Sequence, residues 1–247
     1  MDKDVNDILQ AMREWCDLGI NLAQLSSADF YDRVALPLED HTEYRFEWHI
    51  GASKGVMVFE ELDLVIKVPF QATEYDEGEY QNSVEAWAAG ELDEEPNLED
   101  YIHDLYQATN FFIETAHDWD YCDLECGIYK EAVKVGLEAY FAKSEYIGEV
   151  NGYPIYRQEL VCPFDHDRQS HSRSEEDRQR ASKTCDRLEV TCFNACWIAD
   201  FLDCYGEDEF KKLGDFLNKL DIRDLHSGNI GYMGAYPVLL DYSDYND

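Results

Sequence analysis

Three side chains near the C-terminal end of the sequence are spaced for chemistry on phosphate. Asp224 is followed five residues later by Asn229 in the run RDLHSGN, and Asp241 stands twelve residues further on, closing the apolar run PVLLD. Phosphoryl transfer asks little covalent chemistry of a protein. It needs a carboxylate that orients the acceptor hydroxyl and ligands for a divalent cation that bridges the phosphates. An Asp-x4-Asn turn puts the base, Asp224, and one metal ligand, Asn229, on a single loop, and Asp241 supplies the second ligand from a strand end. Mg²⁺, a hard cation, prefers such oxygen donors. His226 in the same loop reads equally as a phosphate contact and as a turn histidine bonded to backbone.

A cation stands upstream. Lys67 lies in the dense apolar run LDLVIKVPF, where an uncompensated ammonium is costly. It therefore needs an anionic partner, such as a nucleotide phosphate together with a helix carboxylate. Glu125, near the start of a helix-like segment Asp123–Phe141, is the candidate; Asp123, Glu131 or Glu138 would serve in another helix register. Ahead of Lys67, the run Gly51-Ala52-Ser53-Lys54-Gly55 joins two strand-like segments. Its backbone N–H groups at Gly51, Ser53 and Gly55 could approach phosphates, and a plain hairpin turn explains the same residues equally well.

The elements that must position these groups follow from periodicity. Residues 4–17 have helical apolar spacing, a short helix follows over Leu22–Tyr31, and Pro37 with the polar EDHTE stretch ends this N-terminal region. Strand-like runs cover Tyr44–Ile50, Gly55–Glu60 and Leu62–Phe70. Ala142–Val150 and Pro154–Val161 flank Asn151-Gly152, a strong hairpin signal. Phe164–Lys183 is polar and Ser-rich and reads as a mobile linker. In it Arg178-Gln179-Arg180-Ala181-Ser182 sets basic residues before a serine, so self-phosphorylation between Ser170 and Thr184 is one reading and an unmodified linker the other. Helices are expected over Asp186–Tyr205 and Glu207–Leu220.

The order of these parts (glycine turn, strand Lys, helix Glu, hairpin, Asp/Asn loop, metal Asp) resembles the protein-kinase-like superfamily. The form D-L-H-x-G-N-I is similar to aminoglycoside phosphotransferases and to phage-encoded kinases. With the short IKV motif and the early end after Asp241, it most resembles the host-takeover Ser/Thr protein kinases of T-odd short-tailed coliphages, over residues 46–70 and 218–243. The resemblance implies an α+β, kinase-like two-lobe fold with a five-stranded antiparallel N-lobe. Residues 1–45 would form a helical extension, 46–161 the N-lobe with an acidic helical insertion at 72–120, and 162–247 a strongly reduced C-lobe. It further implies ATP and Mg²⁺ as cofactors and a hinge at Gln158–Val161 that holds adenine through backbone groups, with Gln158 and Leu160 as binding residues. Ile222 and His226 depart from the eukaryotic kinase loop, and Asp241-Tyr242-Ser243 replaces DFG. Six residues follow Asp241, too few for an activation segment, so a large protein acceptor is expected rather than a small molecule. A catalytically silent pseudokinase is the alternative within the fold.

Charge narrows the partner. The 247 residues carry 54 Asp+Glu against 20 Lys+Arg, a net charge of −34, with 45 % hydrophobic residues. Such a field repels nucleic-acid phosphates and favours a basic protein, including a host protein that normally holds nucleic acid. Between Val68 and Tyr129 there are 17 acidic residues and no Lys or Arg; this insertion reads as a docking surface, or as a nucleic-acid mimic that needs no ATP. No run approaches the ~20 apolar residues of a membrane span, and MDKDVNDILQ lacks a signal-peptide core, so a cytoplasmic protein is expected, in the host cytoplasm by the resemblance. The eight cysteines read as reduced thiols. Cys122, Cys126, Cys192 and Cys196 could bind zinc only without the usual CxxC spacing, and buried inert thiols are the preferred reading.

Overall fold

A computed structural model of the chain describes residues 3–18, 27–51, 53–69, 73–75, 77–97, 102–104, 112–116, 120–163, 174–190, 195–223, 225 and 227–243. The N-terminal helix α1 (Lys3–Trp15) buries Val5, Ile8, Leu9 and Met12 along one face. Helix α2 (Ser27–Phe30), a π-helical turn Tyr31–Ala35 and helix α3 (Leu36–His41) then run on without a break. The region ends at His41, within the EDHTE stretch as expected, while Pro37 stands inside the continuous helical run, at the start of α3. The Arg33 carbonyl, four residues before Pro37, accepts the Asp17 N–H at 2.9 Å instead.

Strands β1 (Glu47–Ile50), β2 (Lys54–Phe59) and β3 (Leu64–Pro69) follow. The acidic insertion is only partly helical: β4 (Thr73–Tyr75) pairs with β5 (Ile102–Asp104) around helix α4 (Glu77–Ala88). Helix α5 spans Tyr121–Val135, ending six residues before the expected Phe141 because Gly136 turns left-handed at φ 75°. Strands β6 (Ser144–Val150) and β7 (Tyr153–Glu159) form the hairpin, with Asn151 at φ 55° and Gly152 at φ 82°. Positive φ at both turn residues is what Asn-Gly favours.

The C-terminal part departs further from expectation. After β8 (Cys162–Pro163), helix α6 (Glu175–Leu188) occupies the second half of the expected linker. Ser174 caps it, its Oγ accepting from the Asp177 N–H at 3.1 Å. Ser182 therefore lies in a helix and not in a mobile loop, and Thr184 is buried. The expected helix Asp186–Tyr205 is instead two elements, because Glu189 is left-handed and stops α6. Helices α7 (Ala195–Tyr205) and α8 (Glu207–Lys219), then β9 (Ile230–Met233) and β10 (Tyr236–Leu239), are the last helices and strands among the described residues.

The fold is α+β. Five antiparallel strands take the order β1-β2-β3-β7-β6, and β10-β9-β8 form a second, small sheet. One face of the five-stranded sheet packs on α1–α3 through Leu9, Met12, Phe30, Met57, Phe59 and Ile66. A second core joins α5 to α6–α8, β9 and β10 through Leu124, Ile128, Phe201, Phe210, Leu217 and Leu239. No helix among the described residues is long and apolar enough to cross a membrane.

Candidate functional site

Directly opposed residues of antiparallel strands share a face. Val56 faces Lys67, Val58 faces Val65, and across the next pair Lys67 faces Tyr156 and Val65 faces Gln158. Lys54, Val56, Val58, Val65, Lys67, Tyr156 and Gln158 thus line the face of the sheet opposite α1–α3. Ser144 joins them from β6, opposite Gln158.

Helix α5 brings the carboxylate. Its N-cap, Asp120, accepts the Cys122 and Asp123 N–H groups at 3.0 Å each, and its other oxygen accepts the Tyr156 hydroxyl at 2.6 Å. The cap therefore starts the helix and pins it to the sheet beside Lys67. Burial pushes the Asp120 carboxyl up, against the opposing pull of these hydrogen bonds. Burial, and then the nearby Asp120, raise the Tyr156 phenol, which stays a donor.

From that anchored start, Glu125 reaches the sheet fully buried. Its Oε2 accepts Lys67 Nζ at 2.7 Å and the Ser144 hydroxyl at 3.3 Å. The other candidates are engaged elsewhere: Asp123 accepts the Ala116 N–H at 2.8 Å, Glu131 pairs with Lys134 on the surface, and Glu138 lies in a short turn after the helix. Glu125 Oε1 accepts a second ammonium, Lys54 Nζ, at 2.5 Å. Lys54 Nζ also lies 2.9 Å from Asp241 Oδ1, and the Ser243 hydroxyl donates to the same oxygen at 3.3 Å. Burial works against the charged Asp241, but Lys54 and then Lys67 outweigh it and hold the carboxyl well below the usual range. Likewise burial opposes the Lys54 charge, and Asp241 and Glu125 overcome it and raise the ammonium.

Asn229 sits beside Asp241, its carbonyl accepting the Leu240 and Asp241 N–H groups at 2.8 and 3.4 Å. These two oxygen-bearing residues fit a hard divalent cation. Asp224 and His226 lie outside the described residues, although their neighbours Ile222 and Leu225 are buried. The glycine run forms a hairpin turn: Gly51 N–H donates to Lys54 O at 2.9 Å, and Ser53 lies between them. Gly55 has a packing reason for being glycine, since an added Cβ would lie 2.1 Å from the Phe30 ring on the far face.

Lys54, Lys67 and Asp241 border a cavity of about 580 Å³, a size suited to a small ligand. Val56, Val58, Val65, Leu160, Val161 and Leu240 form apolar walls, Lys54, Lys67 and Asp241 form a charged end, and Glu47, His49, Glu60 and Asp63 also line it. Gln158 also lines it. Its Nε2 donates to Ser144 Oγ at 2.9 Å and to the Leu240 carbonyl at 2.8 Å. A carbonyl can only accept, so the amide orientation is fixed chemically. That leaves Oε1 as a buried acceptor without a hydrogen-bond partner among the described residues. The arrangement can hold a molecule with an apolar part and an anionic group set against the Lys54 and Lys67 ammonium groups.

Cys122 and Cys126 are buried against Tyr156, and burial pushes both thiols up, away from the thiolate that zinc requires. Cys192 lies outside the described residues, as does the side chain of Cys196. No group of three or more His, Cys, Asp and Glu that could hold a metal ion occurs among the described residues.

Sequence reasoning missed Lys54, Asp120 and Ser144. A signal existed for two of them. KGVMVF alternates, which puts Lys54 on the face of Val56 and Val58, and an Asp ahead of a helical run marks an N-cap. Comparison of the chain with protein-family models, with curated proteins and with solved structures gave no significant match to any of them.

Proposed function

We propose that this chain is an ATP-dependent protein Ser/Thr kinase with a kinase-like two-lobe build, resembling the phage-encoded kinases. The observation that carries the reading is the buried Lys67–Glu125 pair, 2.7 Å apart, set at the charged end of an apolar slot beside Asp241. A buried ion pair is weak evidence for stability, so its place at a cavity calls for another explanation. A polyphosphate on Lys67, oriented by Glu125, supplies one. Adenine would lie between the valines of the sheet and Leu240, along the Gln158–Val161 segment, with Gln158 Oε1 as an acceptor for its amino group.

Mg²⁺ held by Asn229 and Asp241 would supply charge neutralisation of the phosphates. Asp224 would orient the acceptor hydroxyl and take its proton as the oxygen bonds to the γ-phosphorus. The bond from that phosphorus to the bridging oxygen breaks and ADP leaves. The charge of −34 favours a basic acceptor protein over nucleic acid.

One observation favours a second reading, a nucleotide-binding pseudokinase: the Lys54 ammonium sits on an oxygen of the metal ligand Asp241. Transfer of label from [γ-³²P]ATP to the proteins of a bacterial lysate separates the two. The kinase reading expects phosphoserine and phosphothreonine that disappear in Asp224→Ala and Lys67→Met. Equal labelling by all three proteins sinks it, and nucleotide binding without any labelling favours the pseudokinase.

A further inference from the structure

Two buried lysines share one buried glutamate. Glu125 gives Oε1 to Lys54 and Oε2 to Lys67, and Lys54 bridges onward to Asp241 Oδ1. Lys67 and Glu125 already make a neutral pair, so a buried second ammonium is an added desolvation cost that Asp241 offsets. Two ammonium groups and two carboxylates sum to zero, where a site with Lys67 alone would be one charge more negative. The backbone of Lys54 is held too, since its carbonyl closes the β1–β2 turn and its strand pairs it with Pro69.

The donor inventory points toward a ligand. An ammonium has three N–H donors. Lys54 uses one on Glu125 and one on Asp241, and Lys67 uses one on Glu125. Both retain N–H groups while lining the same cavity, and because both touch one carboxylate they lie close enough to serve adjacent phosphates. On the metal side, Asp241 Oδ1 is already occupied by Lys54 and Ser243, leaving Oδ2 as that side chain's oxygen for a cation.

Resting on the nucleotide-site reading above, we propose that Lys54 is a built-in cation of the phosphate site. It brings beside Asp241 the positive charge that a second divalent ion would otherwise supply, so nucleotide binds with a single divalent cation and retains affinity without any. The opposite role, a plug that keeps cations off Asp241, predicts the opposite sign in the same experiment.

The full-length chain is titrated with a non-hydrolysable ATP analogue, Mn²⁺ replacing Mg²⁺. Bound Mn²⁺ per nucleotide is counted from the loss of the free-ion EPR signal, and nucleotide affinity in EDTA is measured by calorimetry. One Mn²⁺ per nucleotide is expected, with an EDTA affinity that falls about tenfold or more in Lys54→Met and stays within about threefold in Lys54→Arg, because a charge-assisted hydrogen bond is kept only in the latter. Two Mn²⁺ per nucleotide in the wild type, an unchanged EDTA affinity in Lys54→Met, or tighter Mn²⁺ binding in that variant overturns the proposal while leaving the nucleotide site standing. Failure to bind nucleotide under any condition overturns both. Should Lys54→Met fail to fold, the wild-type ion count still decides.

Discussion

The two faces of the five-stranded sheet are made from the same strands and do opposite things. On β2, Gly55, Met57 and Phe59 turn toward α1–α3, while Lys54, Val56 and Val58 turn toward the cavity. The first face is an apolar core with Met57, Phe59 and Ile66 wholly buried. The second buries Lys54, Lys67, Glu125, Ser144 and Gln158 in one hydrogen-bonded chain. A polar network of this kind rarely stabilises a fold more than apolar residues of the same shape would. The helical layer on the first face stabilises the sheet, and the second face carries the buried charge.

Breaking either face should cost most. Phe30→Ala removes a fully buried ring from the helical layer and should lower stability by roughly 3–5 kcal/mol. Glu125→Gln leaves two buried ammonium groups short of a charge and should cost a similar roughly 3–5 kcal/mol. The faces then part company. Adding Lys54→Met and Lys67→Met to a Glu125→Leu background should recover most of the loss while abolishing nucleotide binding, both read by urea denaturation and calorimetry. If that triple variant is as unstable as Glu125→Gln, the charged face is a stability device and the contrast collapses.

A smaller effect tests where Gly55 belongs. Gly55→Ala drives a methyl into the Phe30 ring and should cost about 1–3 kcal/mol. Phe30→Leu added to it should restore part of that loss, with nucleotide affinity per folded molecule unchanged. Weaker nucleotide binding in the relieved double variant would instead give Gly55 a role on the phosphates.

Lys67 in an apolar run, Glu125 one turn into a helix and the Asn151-Gly152 hairpin were legible because each is a local signal with a physical cost attached. For Lys54 only the face was legible, from the alternation of KGVMVF; its partners lie 71 and 187 residues away, and only the depth of β2 in the sheet shows that its ammonium is buried. The same holds for α6: polar composition suggested a mobile linker, but Ser174 and Asp177 cap a helix whose Ala181 and Cys185 are buried. Composition reports solvent preference, and a cap with a few buried positions overrides it. Between Asp224 and Asn229 sequence offers more than the structure, because Asp224 stands outside the described residues.

Base selectivity sharpens the charged face further. If Gln158 Oε1 accepts from the adenine amino group, ATP should bind about tenfold tighter than the triphosphate of purine riboside, which lacks that group. In Gln158→Leu the ratio should fall toward one. A ratio near one in the wild type would mean that water satisfies the amide and that the slot reads only shape.

The smallest effects are slopes with pH, read at two carboxylates, Asp120 and Asp241. Burial raises the Asp120 carboxyl, whereas Lys54 and Lys67, acting against burial, lower that of Asp241. The signs follow from linkage. The Asp241 contribution to stability is present above the usual Asp value of about 3.9 and is lost as pH falls through its lower folded value. The Asp120 contribution is complete below that usual value and is lost as pH rises through its raised folded value. Urea midpoints measured from pH 3 to 8 should therefore lose slope just above about pH 4 in Asp120→Asn and only below it in Asp241→Asn. Asparagine still caps a helix, so Asp120→Asn should lie within about 1 kcal/mol of the wild type at neutral pH, while Asp120→Ala should cost about 1–2 kcal/mol. An Asp120→Asn curve that parallels the wild type throughout would mean that the cap carboxyl titrates alike in folded and unfolded chains. The hydrogen bonds from Tyr156 and the helix N-terminus would then offset its burial in full.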